Sequence, residues 1–324
     1  MDRPQVGMLR RAAPWVISIA ALVFVFGRTD LKALVEATRG ANLPLFVAVV
    51  IADKLVFFLG WAFVCAEAVR RFVVPVARRE VVSVRGGSEL FRVVNNPLAD
   101  LAFAVGVGRL TGGKLEAVFA ALLVPGLTHL IVLLAQASIA LPLLGGALKD
   151  NRDVLTTVIM GWGLVALGAI LLRSPWLRRN PVGGRAIGWL EGVSVRALLP
   201  FFGWFAALAT FDVLIQGLAS FAFGVPIPWT ALVARIPIVY IALSLPSVGN
   251  YGVRETVWAA LFADYGSRDA LIAYAFATNT IFMVMHLLIG LVFVRRAFDL
   301  AAEVRRTALT QPLAEPLLRD AIDP

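Results

Sequence analysis

The residues best suited to chemistry lie in an irregular stretch, 243–255, between two apolar segments. Backbone of this kind cannot face lipid, because its amide and carbonyl groups would lack hydrogen-bond partners. An arginine side chain pairs with phosphate through a planar fork of donors, and the free amides at a helix start favour an anion. The stretch predicts an anion site at membrane depth, of the kind that broken helices of transporters form. The candidate binding residues are Gly249, Asn250, Gly252, Arg254 and Glu255.

A second polar interruption opens the apolar segment 93–109. Asn95 and Asn96 precede Pro97, and asparagine followed by proline is a common helix start. We expect a re-entrant helix here, with Asp100 in its first turn as a cavity wall or a partner for the helix dipole. The alternative is that both interruptions are packing kinks without a ligand. Arg254 would then be an interfacial anchor and Glu255 only a helix cap.

Four more charges, Asp53, Lys54, Asp212 and Arg235, fall inside apolar segments. Charges in lipid are costly, so such residues are paired or functional. Asp53 and Lys54 are neighbours on one helix and point to different sides of it. Asp212 and Arg235, on consecutive helices, form a plausible pair, as a structural tie or as part of a proton relay. If transport is coupled to protons, the candidates are Asp53, Asp212 and Glu255.

The composition identifies a polytopic membrane protein. The 324 residues are 60% hydrophobic and only 16% charged. The net charge of +9 comes from linkers between apolar segments, which argues against nucleic acid as a partner. The single cysteine, Cys65, excludes an internal disulfide, and His129 and His286 are expected to pack and hydrogen-bond within the helix bundle. We therefore expect no metal and no cofactor.

The apolar runs predict an all-α integral membrane protein with about eight transmembrane helices, plus re-entrant or broken helices near residues 93–109 and 246–265. Pro246 to Tyr265 is expected to complete one crossing in broken form, and a short amphipathic helix is expected near residues 31–38. One transmembrane domain should cover residues 1–298, followed by a partly disordered cytoplasmic tail, 299–324. The uninterrupted spans are predicted at residues 12–26, 43–64, 118–144, 154–172, 198–223, 229–245 and 271–294.

The basic residues predict the orientation. The N-terminus and segments 65–92, 173–197 and 295–324 hold 3, 6, 5 and 5 lysines or arginines, whereas loops 28–42, 145–153 and 224–228 hold 3, 2 and none. Cytoplasmic loops carry the excess of positive charge, so both termini should lie in the cytoplasm of a cell whose inner membrane holds the protein. Segment 65–92 should lie along the membrane surface on that side.

One motif resembles a known family. The sequence PSVGNYGVRE at residues 246–255 is similar to the P-x-x-x-G-x-G-x-R-E signature of the flippase-like transmembrane family, which includes the membrane domain of lysylphosphatidylglycerol synthase. Tyr265 and Gly266 fit its glycine turn before the last helix. The region of the first break departs from the family: Pro97 follows directly on the asparagines, Ala99 and Asp100 stand where glycine and arginine are expected, and Arg109 comes late. In the next helix, Val124 and Pro125 stand about where the family commonly has an acidic residue and an arginine. The resemblance implies a protein that moves or presents a polar-headed lipid.

Three functions remain open on the sequence alone. The first is a flippase for a lipid that carries a phosphate. The second is a secondary transporter of a small anionic solute. The third is a membrane subunit of a lipid-linked glycan or lipid-modifying pathway. The sequence contains no P-loop, GxSxG or HExxH motif and no soluble aminoacyl-transferase domain, so we do not expect an enzyme. The expected partners are membrane lipids, with a homo-oligomer or a lipid-biosynthesis enzyme as further options.

Overall fold

The computed structural model describes residues 38–94, 96–112, 115–144, 151–175, 179, 193–243, 247, 249–296 and 298–300. The predicted span 12–26, the amphipathic helix near 31–38, Asn95, Pro246 and most of the predicted tail lie outside these residues. Within them the chain is helical and contains no strand. The helices are α1 (Leu43–Phe72), α2 (Arg78–Arg92), α3 (Asn96–Leu110), α4 (Leu115–Ala140), α5 (Arg152–Arg173), α6 (Val195–Ala222), α7 (Trp229–Leu243), α8 (Val253–Leu261) and α9 (Arg268–Val292).

Five helices of the described chain are long and apolar enough to cross a membrane. Their qualifying ranges are Leu43–Phe72, Ala117–Leu143, Arg152–Leu171, Val195–Ala222 and Arg268–Val292. The all-α prediction is thus confirmed for the described residues, and the composition of these helices fits a membrane protein. Helix α7 is apolar but shorter.

Local sequence explains where these helices begin and end. The Asn42 side chain accepts a hydrogen bond from the Leu45 amide at 3.3 Å, and Ser267 accepts one from the Ala270 amide at 3.2 Å. Both are side-chain caps that satisfy free amides at a helix start. Helix α1 continues beyond its predicted end at residue 64. Its last turn contains Arg70 and Arg71, which suit the negative end of the helix dipole.

Helices α1 and α6 run antiparallel, and several arginines lie at one end of this pair. The Asn42 amide donates to the carbonyl of Ala222 at 2.7 Å, and the Arg71 guanidinium donates to the carbonyl of Ala197 at 2.8 Å. These contacts place the end of α1 beside the start of α6. We call this the basic end of the bundle. The residues that define it are Arg70, Arg71, Arg78, Arg79 and Arg196.

Helices α2 and α3 form a hairpin, hairpin A, that starts and finishes at the basic end. Arg85 of α2 pairs with Asp100 of α3 at 3.2 Å, so the two helices run antiparallel. Each has 15 residues, about 22 Å of helix, which is less than the roughly 30 Å of a bilayer core. The prediction of a surface segment through residue 92 is wrong for α2. Its face with Val81 and Val84 is buried in a cluster with Phe103 and Val107 of α3, and Phe293 of α9 packs closely against Gly86.

Helices α7 and α8 form a second hairpin, hairpin B, that starts and finishes at the opposite end. The Arg235 guanidinium in α7 donates to the carbonyl of Leu261 in α8 at 2.6 Å, so α8 runs back along α7. The prediction that Pro246 to Tyr265 completes a crossing is therefore wrong for the described residues. The chain reverses at Gly249, Asn250 and Gly252, whose φ angles of 55°, 63° and 81° are left-handed.

Aromatic side chains fill the core between hairpin B and the long helices. Trp258 of α8 packs against Tyr274 of α9 with ring centroids 4.7 Å apart, and Phe46 of α1 lies 5.8 Å from the same ring. Close van der Waals packing of this kind holds helices together in lipid. At the basic end, Leu300 is fully buried in the cluster that contains Val84. The packed domain therefore reaches at least Leu300, two residues beyond the predicted boundary.

Candidate functional site

The two predicted interruptions meet in space. The Asn96 side-chain amide at the tip of hairpin A donates to the Asn250 side-chain oxygen at the tip of hairpin B, at 3.2 Å. These residues are 154 positions apart in the chain. On the other side of the turn, the Asn279 amide of α9 donates to the Gly249 carbonyl at 2.8 Å. The fold thus brings both candidate motifs to one point and fixes the left-handed turn.

Glu255 acts as a helix cap. Its carboxylate accepts the Gly252 amide at 2.6 Å, and the side chain is fully buried. The Thr256 hydroxyl donates to the Gly252 carbonyl at 2.7 Å. The sequence left open whether Glu255 binds a ligand or caps the helix, and the geometry favours the cap. Since this carboxylate already occupies an amide at the start of α8, the Arg254 side chain is the stronger candidate for an anion.

The Arg254 guanidinium lies inside the protein, with 6% of the residue exposed. It stands over the ring of Phe282 at 5.0 Å, a cation–π contact. It also lines a cavity of about 10 Å³, which has room for about one water molecule. The rest of the polar wall is formed by Asp212, Gln216 and Tyr240. This burial disfavours the interfacial-anchor interpretation and leaves a cationic group beside a small cavity with both polar and apolar walls.

Two aspartates share the electrostatic environment of Arg254. Asp53 of α1 is 2% exposed and Asp212 of α6 is 1% exposed, and each is attracted by the Arg254 charge. Asp212 accepts a hydrogen bond from the Gln216 side chain at 3.3 Å and has the Tyr240 hydroxyl within hydrogen-bonding reach. We call Asp53, Asp212 and Arg254 the inner triad. It joins three helices that the sequence could not place together.

Lys54 faces away from the inner triad, as predicted for the neighbour of Asp53. Its ammonium group lies 3.0 Å from Glu89 of hairpin A, and the same carboxylate oxygen lies 2.6 Å from Nδ1 of His286. The other Glu89 oxygen lies 3.2 Å from Arg92 and 3.4 Å from Arg85. Glu89 is therefore the centre of a buried ion cluster.

Asp100 completes this cluster on α3. Its carboxylate lies 2.8 Å from Arg92 and 3.2 Å from Arg85, and Arg92 also donates to the Asn96 side chain at 3.1 Å. Asp100 was expected to line a cavity or balance a helix dipole. It instead pairs with arginines of the neighbouring helix, with its side chain 60% exposed. We call this group the hairpin A cluster. Its members are Lys54, Arg85, Glu89, Arg92, Asp100 and His286.

The cluster's charges determine the protonation of its acids. Burial alone would raise the pKa of Glu89, but the charges of Lys54 and Arg92 hold that pKa well below its usual value. Burial also opposes ionisation of Asp100, and Arg92 and Arg85 hold its pKa below the usual value. With both acids ionised, three cations face two anions. The hairpin A cluster carries a net charge of +1 when His286 is neutral.

The predicted Asp212–Arg235 pair does not form. Arg235 lies 3.6 Å from Asp264 and 3.8 Å from Asp153, and its guanidinium stands 5.5 Å from the ring centre of Tyr265. These partners lie at the end of the bundle opposite the basic end, whereas Asp212 belongs to the inner triad. Arg235 therefore ties the two arms of hairpin B together through partners that differ from the predicted one.

Several residues of these clusters were missed in the sequence. Glu89 lies four residues after Arg85 and three residues before Arg92, which is the spacing of ion pairs on one helix face. The neighbouring glycines Gly86 and Gly87 allow another helix to pack closely. That signal could have identified α2 as a buried helix. Tyr240 gave no signal, because an isolated tyrosine in an apolar run is common at membrane interfaces.

The histidines behave as expected of packing residues. His129 lies among the rings of Trp61, Phe205 and Tyr240, at centroid distances of 5.1, 5.0 and 5.9 Å. His286 contacts Glu89.

Comparison with known proteins adds no family to this geometry. Neither the models of known protein families nor the characterised proteins include a match to this chain. The resemblance of residues 246–255 to the flippase-like family therefore stays a prediction.

Proposed function

We propose that this protein moves a phosphate-bearing lipid across the cytoplasmic membrane. The observation that carries this proposal is the buried Arg254 guanidinium beside the contact between the two hairpin tips. Arginine is the side chain best matched to a phosphate oxygen pair. A group held there would lie at the meeting point of elements that enter from opposite ends of the bundle. The motif resemblance at residues 246–255 supports the same assignment.

The proposed placement in the membrane follows from the helix directions. The basic end faces the cytoplasm, so hairpin A enters from the cytoplasmic face and hairpin B from the opposite face. Neither hairpin crosses. With the predicted span at residues 12–26, the five long helices give six crossings rather than about eight, and both termini remain cytoplasmic. Non-helical backbone at the tips is then buried in protein, as the bilayer requires.

The described conformation is closed, and this constrains the mechanism. A cavity of about 10 Å³ does not hold a lipid phosphate, so the hairpin tips have to separate before a headgroup reaches Arg254. The direct link between the tips is the Asn96–Asn250 hydrogen bond. One such bond contributes about 1 kcal/mol, which thermal motion and substrate binding can supply. Acyl chains would stay in the bilayer while the headgroup passes.

A small anionic solute is the second candidate. It is favoured by the small size of the Arg254 cavity, whose walls include Val239, Leu243 and Trp258. A solute would also require this cavity to widen, but it would need no lateral path for acyl chains. The ion clusters also fit a transporter better than a purely structural subunit, because buried charges are costly and are retained where they act.

The experiment uses purified protein in liposomes of phosphatidylcholine and phosphatidylglycerol that contain a fluorescent phosphatidylglycerol. A membrane-impermeant reductant bleaches only the outer leaflet, so protein-dependent loss of protection measures flipping. We expect flipping by the wild type, its loss in Arg254→Ala, and no change in Arg79→Ala, which removes an exposed arginine at the basic end. Absence of flipping, together with uptake of radiolabelled inorganic phosphate, would indicate that the substrate is a small solute and not a lipid.

A further inference from the structure

Three buried carboxyl groups lie within the electrostatic influence of the Arg254 guanidinium. Asp53, Asp212 and Glu255 are 2%, 1% and 0% exposed, and Arg254 is 6% exposed. All three carboxyl groups feel the Arg254 charge. Glu255 has the Gly252 amide as a further partner. Arg254 is therefore the cation that Asp53 and Asp212 share, and Lys54 adds a smaller attraction at Asp53.

The described elements packed around the inner triad contribute polar groups, and within these described residues Arg254 is the cation that attracts both aspartates. Lys54 is directed to Glu89, and the Tyr274 hydroxyl donates to Gln216 at 2.6 Å. The titratable and charged groups that face the triad are Asp53 and Lys54 of α1, Asp212 of α6, Tyr240 of α7, Arg254 and Glu255 of α8, and Tyr274 of α9.

The charge balance of this site is negative. Two ionised aspartates and one arginine carry a net charge of −1, and an ionised Glu255 makes it −2. Uncompensated buried charge costs several kcal/mol, so the site gains from binding a positive ion. One oxygen of Asp53, Oδ1, is buried and has no hydrogen-bond partner among the described residues. Such an oxygen is suited to carry a proton, because a protonated carboxyl needs less solvation than a carboxylate.

We propose that Asp53 and Asp212 form a proton-binding site, and that a phosphate group pairing with Arg254 binds together with that proton. The proposal rests on the proposed function for its phosphate. A singly charged anion that takes the Arg254 guanidinium adds one negative charge and removes the cation from both aspartates, and a proton then restores the starting charge of the site. Linkage is reciprocal, so protons must strengthen phosphate binding by the same factor that phosphate strengthens proton binding.

This linkage sets the direction in which pH acts. If one proton enters with each phosphate group, the affinity for phosphate rises as pH falls, by up to about tenfold per pH unit. The proton also supplies a driving force. A transmembrane proton gradient would move the phosphate-bearing group toward the alkaline side, without a nucleotide site on the chain.

Infrared spectroscopy tests the proton site without any lipid transport. A protonated buried carboxyl gives a carbonyl band that shifts in deuterium oxide. We expect this band to grow when short-chain phosphatidylglycerol or inorganic phosphate is added to the wild type at constant neutral pH. Asp53→Asn and Asp212→Asn should weaken it, and Asp299→Asn, at the exposed basic end, should leave it unchanged. No added band in the wild type, or a band lost only in Glu255→Gln, would overturn the proposal.

Flipping assays separate this inference from the proposed function. The initial rate for fluorescent phosphatidylglycerol at limiting concentration should rise as pH falls from about 8 to about 6, and Asp212→Asn should flatten that profile. Flipping that is independent of pH would refute the proposed proton site without contradicting the proposed lipid pathway. A phosphate-dependent infrared band without flipping would support the proton site and indicate a solute transporter instead of a flippase. In that case inorganic phosphate should give a larger band than short-chain phosphatidylglycerol.

Discussion

Replacing Glu89 by glutamine should strongly destabilise the protein. Glu89 is 1% exposed and lies within 3.4 Å of Lys54, Arg85 and Arg92. The hairpin A cluster has three cations and two anions, a net charge of +1, and Glu89→Gln raises it to +2. The remaining anion, Asp100, is 60% exposed and compensates less. Breaking a buried ion pair from one side costs about 3–5 kcal/mol, so we expect a loss in that range.

A double variant isolates charge from packing. Lys54→Met combined with Glu89→Gln leaves two arginines and Asp100, which restores the net charge of +1. The pair should therefore be more stable than Glu89→Gln alone, with a coupling free energy of about 1–3 kcal/mol. Glu67→Gln is the matched control, because Glu67 pairs with Arg78 at 3.1 Å but the two side chains are 32% and 50% exposed. Such an exposed pair contributes about 0.2–1 kcal/mol.

The assay is denaturant unfolding of the purified protein in mixed micelles, followed by tryptophan fluorescence. The five proteins compared at one pH and salt concentration are the wild type, Glu89→Gln, Lys54→Met, the double variant and Glu67→Gln. A loss for Glu89→Gln no larger than that for Glu67→Gln would refute the assignment of Glu89 as the centre of a buried cluster. A double variant less stable than Glu89→Gln would refute the charge argument while leaving the burial intact.

Three further predictions use the same unfolding measurement. Asn250→Gly and Asn250→Ala both lose the contact with Asn96, but only alanine strains the left-handed turn, so Asn250→Ala should be less stable by about 1 kcal/mol. Gly290→Ala should lose about 1–3 kcal/mol, because its new Cβ meets Leu90, including the backbone nitrogen at 3.1 Å, whereas Gly163→Ala in open space should gain about 0.5–1 kcal/mol. Equal signs for the two would contradict the packing of α2 on α9. Finally, the lowered pKa of Glu89 means that it stabilises the fold above its unfolded value of about 4.3 and that this contribution disappears as pH falls toward the folded value. The penalty of Glu89→Gln should thus stay constant from about pH 8 to about pH 5 and shrink in more acidic solution.

The long helices could be predicted because their signal is local. A run of about 20 apolar residues has few alternatives to a membrane helix, so the predicted spans from residue 43 to residue 294 fall on observed helices. The burial of helix α2 was not predicted, because its arginines and glutamates are typical of a surface segment when their partners are unknown. Its buried face depends on Gly290 and Phe293, which are 200 residues away in the chain.

The direction of the chain after a break could not be predicted. An even number of crossings between the basic segments is satisfied equally by four crossings or by two crossings and a hairpin. Only the contact of Arg235 with the Leu261 carbonyl decides between them. The partners in ion pairs could not be predicted either. Asp212 and Arg235 lie on consecutive helices, yet Arg235 pairs with Asp153 and Asp264 because α8 turns back.

The site was predicted in its residue types and missed in its arrangement. The helix-breaking glycines, Asn250 and Arg254 were recognisable because polar, irregular backbone between apolar runs is rare and costly. The contact between Asn96 and Asn250 could not be expected from the sequence, since both side chains can serve as local caps. It also could not show that Asp53 and Lys54, adjacent in the chain, belong to two different ion clusters.

The most direct test of the account is to hold the hairpin tips together. In a Cys65→Ala background, Asn96→Cys and Asn250→Cys would be bridged by a short, reducible bifunctional thiol reagent in flipping-competent liposomes. Bridging should stop the flipping of fluorescent phosphatidylglycerol, reduction should restore it, and Asn96→Cys alone should be unaffected by the reagent. Undiminished flipping by the bridged protein would show that the headgroup does not pass between the tips, and the proposed lipid pathway would be wrong.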